Sequence, residues 1–484
     1  MKNIDDILKG IDVLSISGKK TKVADISFDS RNVREGTLFV AVRGVKSNGH
    51  DFIPNAIKCG ACAIICETFS GDNPHDICII KVSDSSLALG IAASNFFDNP
   101  SASMKLVGVT GTNGKTTIAT LLYRVFMKKG YKCGLFSTVC NYINDKELPA
   151  THTTPDPIQL NRTMSEMVRE GCKYAFMEVS SHSVDQKRIS GLSFVGGIFT
   201  NLTHDHLDYH KTFDNYLAAK KGFFDSLPTD AFALVNADDR NGKVMLQNCK
   251  ARHFTFSLRT GADFMCAILE RDFGGMKLRV QGEEVWTRFI GDYNASNLLA
   301  VYGASELLGG SKNELLTIIS DLHPVAGRLE VIRSDKGITG IVDYAHTPDA
   351  LVNVLDTLNR IKQQGIKIIT VVGAGGDRDR TKRPKMAAIS AEGSDRIILT
   401  SDNPRTENPE SILDEMEVGI TTDLKKKTLR IADRREAIRT AVMFAEAGDV
   451  ILVAGKGHET YQEVNGVKHH FDDREVLKEA FSGK

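Results

Sequence analysis

The stretch Gly108-Val109-Thr110-Gly111-Thr112-Asn113-Gly114-Lys115-Thr116-Thr117 decides the fold of this 484-residue chain. It joins an apolar run typical of a strand, residues 106–109, to an amphipathic run typical of a helix, residues 116–128. A glycine-rich turn between a strand and a helix lets backbone N–H groups close around phosphate oxygens, and the helix N-terminus adds positive charge there. The stretch therefore predicts a phosphate-binding loop, in which Lys115 reaches the β- and γ-phosphates and Thr116 holds Mg²⁺.

The loop differs from the general P-loop pattern in one respect. That pattern has a glycine five residues before Gly114, where this chain has Val109, so the tighter form 111–117 remains. The alternative is a turn that only connects strand to helix. Glycine, lysine and two threonines together after a strand favour the phosphate interpretation, and we expect the protein to consume a nucleoside triphosphate.

Composition limits the class of protein. The length predicts about three domains, and 42% hydrophobic with 25% charged residues is typical of a soluble globular protein. Lys+Arg and Asp+Glu are both 61, so the zero net charge favours neither a nucleic acid nor a membrane surface as the main partner. The chain has no apolar run long enough for a membrane span, and its acidic start is unlike a signal peptide. We expect a cytoplasmic protein.

Nine cysteines are scattered along the sequence without a disulfide pattern. Cys59 and Cys62 form a CxxC, which leaves a metal or redox pair open, but there is no second CxxC. We expect buried, reduced thiols, in agreement with a reducing compartment.

The chain divides into three predicted α/β domains at 1–100, 101–330 and 331–484. The first mixes strand-like runs with short helices, and residues 97–100 resemble a linker. The second contains the phosphate loop and further strand-then-turn units, which predict a mostly parallel sheet. The third repeats a βαβ pattern with predicted strands at 367–372, 396–400 and 450–454, and polar motifs follow each of them. Ligands bind at the carboxyl ends of such strands.

Two polar segments follow predicted strands of the middle region. Glu178 ends the apolar run 174–177, and a carboxylate there, near a phosphate loop, is well placed to bind Mg²⁺. The segment 204–210 contains three histidines and two aspartates in seven residues. Zinc and Mg²⁺ with a histidine ligand both remain open for this segment.

Further positions have both a structural and a functional interpretation. Lys220 and Lys221 are typical of the surface of an amphipathic helix. Asn297 lies where a helix opens, and it caps that helix or contacts a base edge. Arg328 is either a surface arginine or a group that neutralises a transferring phosphoryl group.

Charged residues at the strand ends of the third domain predict an unusual amino acid as ligand. Arg378 and Arg405 each follow a strand, and planar guanidinium groups bind carboxylates in bidentate fashion. Glu459, at a third strand end, is suited to an ammonium group. An amino acid with an extra ammonium and an extra carboxylate satisfies all three, although each residue taken singly also fits a loop salt bridge.

Five stretches in this order resemble the Mur ligases, which build the peptide stem of bacterial peptidoglycan: 111–117, 178–182, 201–210, 343–346 and 402–405. The resemblance covers nearly the whole chain. It implies ATP-dependent amide ligation through an acyl phosphate, with ATP and Mg²⁺. It also implies UDP-N-acetylmuramoyl-L-alanyl-D-glutamate and meso-diaminopimelate as partners. The sequence does not indicate the oligomeric state, and we expect a monomer. The form Asp402-Asn403-Pro404-Arg405 resembles the version associated with diaminopimelate, since lysine lacks the carboxylate that Arg405 would bind.

The same resemblance assigns residues to ligands. Contacts to the uridine nucleotide are implied for Ser30 and the turn Val45-Lys46-Ser47. Contacts to the muramoyl dipeptide are implied for Thr153, Thr154, Ser180, Gln186 and Arg188. Metal ligands are implied at Thr116, Glu178, His206 and Lys220, the last as a carbamylated lysine. ATP contacts are implied for Asn297, Arg328 and Asp343. Amino-acid contacts are implied for Arg378, Asp402, Asn403, Pro404, Arg405, Gly455 and Glu459. His152 and the turn 45–47 depart from the usual family pattern.

Three alternatives remain at this stage. A folylpolyglutamate synthetase-like ligase shares the phosphate loop, but it usually lacks the 100 residues that precede the loop here. A nucleotide-switched binding protein would not need Arg378, Arg405 and Glu459. A lysine-adding ligase of the same family is disfavoured by Arg405.

Overall fold

The computed structural model of the chain describes residues 1–44, 47–70, 77–150, 152–203, 207–259 and 261–483. The structure forms three large sheets in chain order, each with helices packed on it. In the described part of the chain, no helix is both long and apolar enough to cross a membrane.

The first unit has a five-stranded sheet in the order β2-β7-β6-β5-β4, parallel except for the antiparallel edge pair β2–β7. Its elements are β1 (Lys2–Asn3), α1 (Ile4–Ile7), β2 (Val13–Ser17), β3 (Lys22–Val23), β4 (Asp25–Ser27), β5 (Thr37–Val40), α2 (Ile53–Lys58), β6 (Ala61–Cys66), β7 (Cys78–Val82) and α3 (Ser85–Phe96). Short 3-10 turns cover Ser30–Asn32, Gly49–Phe52 and Pro100–Ser103.

The central unit contains an eleven-stranded sheet in the order β11-β10-β9-β12-β8-β13-β14-β15-β16-β17-β18. Its strands are β8 (Lys105–Thr110), β9 (Cys133–Phe136), β10 (Cys140–Ile143), β11 (Lys146–Pro149), β12 (Tyr174–Glu178), β13 (Phe194–Phe199), β14 (Phe232–Asn236), β15 (Arg252–Ser257), β16 (Phe264–Asp272), β17 (Gly275–Val280) and β18 (Glu283–Thr287). Its helices are α4 (Lys115–Lys128), α5 (Pro157–Arg169), α6 (Ser181–Asp185), α7 (Leu207–His210), α8 (Phe213–Asp225), α9 (Gly242–Leu246), α10 (Asp292–Leu307) and α11 (Lys312–Ser320).

The prediction of a mostly parallel central sheet is confirmed, with antiparallel strands added at both edges. The pairs from β9 to β16 are parallel, whereas β9–β10–β11 and β16–β17–β18 are antiparallel. The β17–β18 turn places Gln281 and Gly282 at positive φ, as a tight hairpin requires.

Helices cover both faces of the central sheet. Along β12, Tyr174 and Phe176 belong to the core that α4, α10 and α11 share, whereas Ala175 and Met177 belong to the core of α5 and α8. Successive side chains of a strand point to opposite faces, so a strand buried on both sides is apolar throughout. Because β8, β12 and β13 run parallel, the loops that follow these strands lie at one edge of the sheet.

The third unit has a six-stranded sheet in the order β19-β20-β24-β21-β22-β23, parallel except for β19–β20. Its elements are β19 (Glu330–Arg333), β20 (Thr339–Asp343), α12 (Pro348–Ile361), β21 (Ile368–Ala374), α13 (Lys382–Gly393), β22 (Arg396–Ser401), α14 (Pro409–Glu417), β23 (Thr428–Arg430), α15 (Arg434–Phe444), β24 (Val450–Ala454), β25 (Tyr461–Val464), β26 (Val467–His470) and α16 (Asp473–Phe481), with a 3-10 turn at Lys425–Lys427. The three predicted strands correspond to β21, β22 and β24.

The cysteine prediction is partly wrong. All nine cysteines are free thiols and most are buried, but Cys59 is exposed and Cys62 is half-buried. Cys59 lies just after α2, where the chain turns at the surface into β6. Among the described residues, no group of three His, Cys, Asp or Glu is arranged to hold a metal ion.

Candidate active site at the phosphate loop and the edge of the third sheet

The phosphate loop connects β8 to α4 and depends on two glycines with positive φ. Gly111 has φ +144° and Gly114 has φ +90°. A Cβ on Gly111 would overlap the Thr200 hydroxyl, and a Cβ on Gly114 would lie 2.6 Å from Asn297 Oδ1. Only glycine fits both positions, which lets the loop backbone approach a phosphate closely.

Three polar side chains converge on this loop. Lys115 Nζ donates to the carbonyl oxygens of Gly111 at 3.0 Å and Thr112 at 2.8 Å. The Thr116 hydroxyl is buried at the start of α4 and accepts a 3.4 Å hydrogen bond from Arg328 Nη2. An ammonium, a hydroxyl and a guanidinium group therefore surround the place where a triphosphate would lie, as phosphoryl transfer requires.

The segment after β13 packs against the loop. The Asn113 N–H donates to Asn201 Oδ1 at 3.0 Å, and the Thr200 hydroxyl donates to the Asn113 carbonyl at 2.6 Å. The predicted polar segment thus begins beside the phosphate loop. Its residues 204–206, including the predicted metal ligand His206, lie outside the described residues, and that assignment stays a prediction.

Lys220 is buried, which corrects the expectation from composition that it lies on a helix surface. Its side chain is 1% exposed, Nζ donates to the Gly111 carbonyl at 2.7 Å, and Nζ lies 4.7 Å from the centre of the Tyr216 ring. The neighbouring Lys221 instead forms an ion pair with Asp225 at 2.6 Å. The helix α8 therefore turns Lys220 toward the phosphate loop, and its assignment as a metal ligand stays a prediction.

Glu178 lies on the strand next to the phosphate loop. It pairs in register with Val109, and its buried carboxylate accepts hydrogen bonds from the Thr138 N–H at 2.6 Å and the Thr138 hydroxyl at 3.2 Å. A carboxylate and the Thr116 hydroxyl offer oxygen donors at one sheet edge. Mg²⁺ in nucleotide sites takes one or two carboxylates plus phosphate oxygens and water, so this donor set fits it.

Of the predicted ATP contacts, Asn297 and Arg328 both reach the phosphate loop, whereas Asp343 contacts the backbone beside Arg328. Asn297 does not cap α10: its Nδ2 donates to Asn294 Oδ1, and its Oδ1 faces Gly114. Arg328 lies 4.6 Å from the centre of the Tyr344 ring, beside its contact to the phosphate loop.

Asp343 organises the segment that carries Arg328. Its carboxylate accepts from the Leu329 N–H at 2.7 Å and the Ala345 N–H at 2.8 Å, and burial raises its pKa. Leu329 has φ +43°, a conformation that costs free energy unless contacts such as these hold it. Asp343 thus fixes the backbone beside Arg328.

The predicted muramoyl-dipeptide residues form one hydrogen-bonded group beside Glu178. Thr154 Oγ1 donates to the Glu178 carbonyl at 2.7 Å and lies 3.4 Å from Ser180 Oγ. Arg188 donates to the Thr154 carbonyl at 2.9 Å and, through Nη2, to Gln186 Oε1 at 2.6 Å. The Thr138 hydroxyl, which contacts the Glu178 carboxylate, also lies 3.0 Å from Thr153 Oγ1 and so links Thr153 to this group. The group lies within hydrogen-bond reach of the Glu178 strand end.

The predicted nucleotide contacts lie in the first unit. Ser30 is buried at the start of the 3-10 turn after β4, where the Asp29 carboxylate accepts from the Arg31 N–H. The exposed Ser47 follows Val45 and Lys46, and those two lie outside the described residues.

The predicted amino-acid pocket forms where β22 and β24 end on either side of β21. Asp402 and Asn403 follow β22, and Gly455 follows β24 with φ +117°. A Cβ on Gly455 would lie 2.5 Å from Asp402 Oδ2, so glycine is needed for the two loops to meet. Glu459 is tied to this corner because Asn403 Nδ2 donates to its carboxylate at 2.7 Å.

The side chains of Arg405 and Arg378 flank Gly375, which directly follows β21. A Cβ built there would lie 3.0 Å from Arg405 Nη1 and 3.6 Å from Arg378 Cγ. Arg405, at φ +51°, donates to the Gly376 carbonyl at 2.7 Å, whereas Arg378 is exposed. Pro404 is buried between the two loops, and its carbonyl approaches Gly376 closely. The sheet thus brings together the two predicted carboxylate-binding arginines.

Sequence reasoning missed the residues that hold these loops. Arg383 is fully buried, and its guanidinium binds Glu407 at 2.8 Å and Glu415 at 2.8 Å. The Arg383 guanidinium lowers the pKa of Glu407 to about 2, and Glu407 in turn accepts from the Asp377 N–H at 2.5 Å. In the sequence, Arg383 looks like any other arginine of an exposed helix start, so no local signal identifies it.

The chain is similar in sequence to one known protein family. Three family profiles match in chain order: the Mur ligase family catalytic domain at residues 22–97, the Mur ligase middle domain at 109–305, and the Mur ligase glutamate ligase domain at 327–457. The chain belongs to the Mur ligase family.

Individual relatives show which members of the family this chain is similar to. The chain is 58% identical over 480 residues to a Bacteroides fragilis protein named UDP-N-acetylmuramoyl-L-alanyl-D-glutamate–2,6-diaminopimelate ligase, covering 99% of both chains. It is similar to a solved structure of a ligase of that name, with a TM-score of 0.69, 35% identity and 95% of both chains covered. A Mycobacterium tuberculosis folylpolyglutamate synthase structure shares the fold at a TM-score of 0.61, with 16% identity over 76% of this chain and 92% of that one.

Proposed function

We propose that this protein joins meso-diaminopimelate to UDP-N-acetylmuramoyl-L-alanyl-D-glutamate in peptidoglycan precursor synthesis. It is an ATP-dependent, ADP-forming ligase. The observation that carries the proposal is the pairing of a phosphate loop with a pocket at strand ends that has two arginine side chains and the half-buried carboxylate of Glu459. Full-length similarity to relatives of that name supports it.

The reaction takes place in two steps. The D-glutamyl side-chain carboxylate attacks the γ-phosphorus of ATP, ADP leaves, and an acyl phosphate forms. The amine of diaminopimelate then attacks the acyl carbon, phosphate leaves from a tetrahedral intermediate, and the amine loses a proton. Both steps build negative charge on phosphate oxygens, which positioned cations stabilise.

The chain's own residues have proposed roles in these steps. Lys115 would exchange its loop carbonyl partners for phosphate oxygens, and Arg328 lies close enough to Thr116 to reach the transferring group. The Arg188 group beside Glu178 would orient the dipeptide carboxylate toward the phosphate loop. Positioning two reactants in this way supplies much of the rate acceleration.

We propose Mg²⁺ as the metal of the site. Thr116 and Glu178 would hold it, with His206 and a carbamylated Lys220 as further ligands. When bound, the ion supplies positive charge to the phosphate oxygens.

We further propose domains at 1–100, 101–330 and 331–484. We also propose a monomer that works in the cytoplasm and binds neither nucleic acid nor membrane. Mass measurement of the purified protein in solution would check the oligomeric state.

Phosphate release by the purified protein tests the proposed function. With ATP, Mg²⁺ and UDP-N-acetylmuramoyl-L-alanyl-D-glutamate, we expect release to depend on meso-diaminopimelate, with a product heavier by one diaminopimelyl residue. Release with L-lysine alone would keep the ligase class but contradict the proposed amino acid. Release without any amino acid would contradict ligation and favour a nucleotide switch.

Replacing Arg405 with methionine is expected to lower kcat/KM for meso-diaminopimelate by about 10²-fold, because a carboxylate loses a charge-assisted bidentate partner. The value for L-lysine, which lacks that carboxylate, should change much less. Arg439→Met is the matched control, since Arg439 pairs with Glu436 on the surface of α15. Equal losses for both amino acids would contradict the assignment of Arg405 to the distal carboxylate.

A further inference from the structure

A buried ammonium group, that of Lys456, lies beneath the amino-acid pocket and has no role in the proposed reaction so far. Lys456 follows β24, and its side chain is 0% exposed. Its Nζ lies 3.1 Å from Asn403 Oδ1, 3.3 Å from Glu459 Oε2 and 5.5 Å from the centre of the Tyr461 ring. Burying an ammonium group is costly unless acceptors compensate it, so this arrangement needs a reason.

Lys456 determines which way the Asn403 amide faces. Asn403 Oδ1 accepts from Lys456 Nζ and from the Glu463 N–H at 2.9 Å, so the oxygen faces two donors. The amide nitrogen must then point the other way, where it donates to Glu459 Oε2 at 2.7 Å. Lys456 therefore holds the Glu459 carboxylate both directly and through the Asn403 amide. These contacts fix the orientation of the carboxylate.

Among the described residues at these two strand ends, carboxylates outnumber ammonium groups by one. Asp402 and Glu459 bring two carboxylates to the ends of β22 and β24, and Lys456 brings one ammonium group. The nearby guanidinium of Arg434 is already bound to the Asp473 carboxylate. One ammonium group from a ligand would balance the pocket. A ligand carboxylate would be bound by the exposed Arg378 and by Arg405, which pairs with Glu463 at 3.5 Å.

We propose that Lys456 is a positioning and specificity-determining residue that orients Asn403 and holds Glu459 as the receptor for an ammonium group of the incoming diamino acid. This inference rests on the proposed function and deepens it. Lys456 itself does not reach the ligand, since its side chain is fully covered. It acts through Asn403 and Glu459, which line the pocket.

The pH dependence of diaminopimelate binding gives a second test of the role of Lys456, because this binding depends on the ionisation of Glu459. Burial raises the pKa of the Glu459 carboxyl, the neighbouring Asp402 raises it further, and Lys456 opposes both. Tyr344 and the paired Arg434 are further titratable groups whose charges act on this corner. Tyr461 lies beside Lys456, and Arg405 and Glu463 form an ion pair nearby. Removing Lys456 leaves only the hydrogen bond from Asn403 to oppose burial and Asp402. The carboxylate would then form at higher pH, and ammonium binding would strengthen as pH rises.

Steady-state kinetics of Lys456→Met test the inference. Hydrogen bonds to charged groups contribute about 1.5–3 kcal/mol, so we expect KM for meso-diaminopimelate to rise by about 10- to 100-fold. KM for ATP and for the UDP-linked dipeptide should stay at wild-type values. The variant's KM for diaminopimelate should fall as pH is raised, more steeply than that of the wild type.

Two further variants complete the design. Lys468→Met is the matched control, because Lys468 lies 4.1 Å from the centre of the same Tyr461 ring but is exposed. It should keep wild-type constants. Lys456→Gln restores a donor without the charge and provides the same measurements if the methionine variant does not fold.

The outcomes separate this inference from the proposed function. If the wild type shows no diaminopimelate-dependent release, the proposed function fails. If the wild type is active and Lys456→Met or Lys456→Gln has an unchanged KM for diaminopimelate, only the role of Lys456 is overturned. An equal loss toward all three substrates, with no change in pH dependence, would also overturn it.

Discussion

Replacing Lys220 with methionine is expected to lower the rate of ligation by about 10²-fold or more, the size of effect seen when one charge-stabilising group is removed from an active site. Lys220 is buried, and its Nζ reaches the Gly111 carbonyl of the phosphate loop at 2.7 Å. Methionine has a similar length and suits a buried position, so the fold should persist. A lower rate of ligation would then reflect an effect on the reaction at the phosphate loop and not a loss of folding.

Lys221 is the matched control for this substitution. It is the next residue of α8 and pairs with Asp225 near the surface, so Lys221→Met should keep the wild-type rate. Both rates would be measured as diaminopimelate-dependent phosphate release at saturating substrates. Wild-type activity in Lys220→Met would contradict any catalytic role for Lys220.

Carbamylation of Lys220 can be tested on the same proteins. The ammonium group first loses a proton to solvent, and the neutral amine then adds CO₂ and releases a second proton. The product is a carbamate anion, whose oxygens would bind Mg²⁺. With ¹³C-labelled bicarbonate, we expect a carbamate NMR signal in the wild type and in Lys221→Met but not in Lys220→Met. A signal that persists without Lys220 would assign the modification to another amine.

Replacing Asp473 with alanine is expected to destabilise the third unit by about 3–5 kcal/mol, because it leaves a buried guanidinium without its counter-charge. Arg434 and Asp473 are both 0% exposed and form two hydrogen bonds, at 2.8 and 2.7 Å. The same guanidinium donates to the Ala454 carbonyl at 3.0 Å and lies 3.4 Å from the Ser401 carbonyl. It thus joins the strand ends from which Gly455 and Asp402 emerge.

Urea unfolding of two further variants would check this prediction. Arg435 and Glu479 pair across the same two helices, α15 and α16, but are 37% and 47% exposed. Glu479→Ala should therefore cost about 0–1 kcal/mol. The double variant Arg434→Met with Asp473→Leu should recover most of the stability, since apolar residues replace both charges. An Asp473→Ala effect as small as that of Glu479→Ala would show that the buried pair contributes little.

Much of the fold follows from local patterns in the sequence. The phosphate loop, α4 and the strands β12, β21, β22 and β24 lie within a few residues of their predicted positions. Apolar runs, glycine turns and polar strand ends are separated by short distances along the chain, so they can be interpreted without tertiary information. The antiparallel edge hairpins were not predicted, although the turn at Gln281 and Gly282 has the positive φ values of a tight hairpin.

The candidate site was only partly accessible to the same reasoning. Local sequence predicted Lys115 and Thr116 at a phosphate loop and Arg405 and Glu459 at strand ends. The grouping of Thr154, Ser180 and Arg188 was available only through resemblance to the Mur ligases. The supporting residues Lys456 and Arg383 were not identified, because isolated lysines and arginines occur throughout the sequence.

The sequence by itself therefore determined the class of fold, the phosphate loop and the polar character of the strand ends, because periodicity and turn chemistry act over a few residues. Only the tertiary structure decided which charged side chains are buried. Lys220 meets Gly111 across 109 positions, Lys456 meets Asn403 across 53, and Arg434 meets Asp473 across 39. Burial of a charge depends on which surfaces pack together, and that depends on the arrangement of whole helices and sheets.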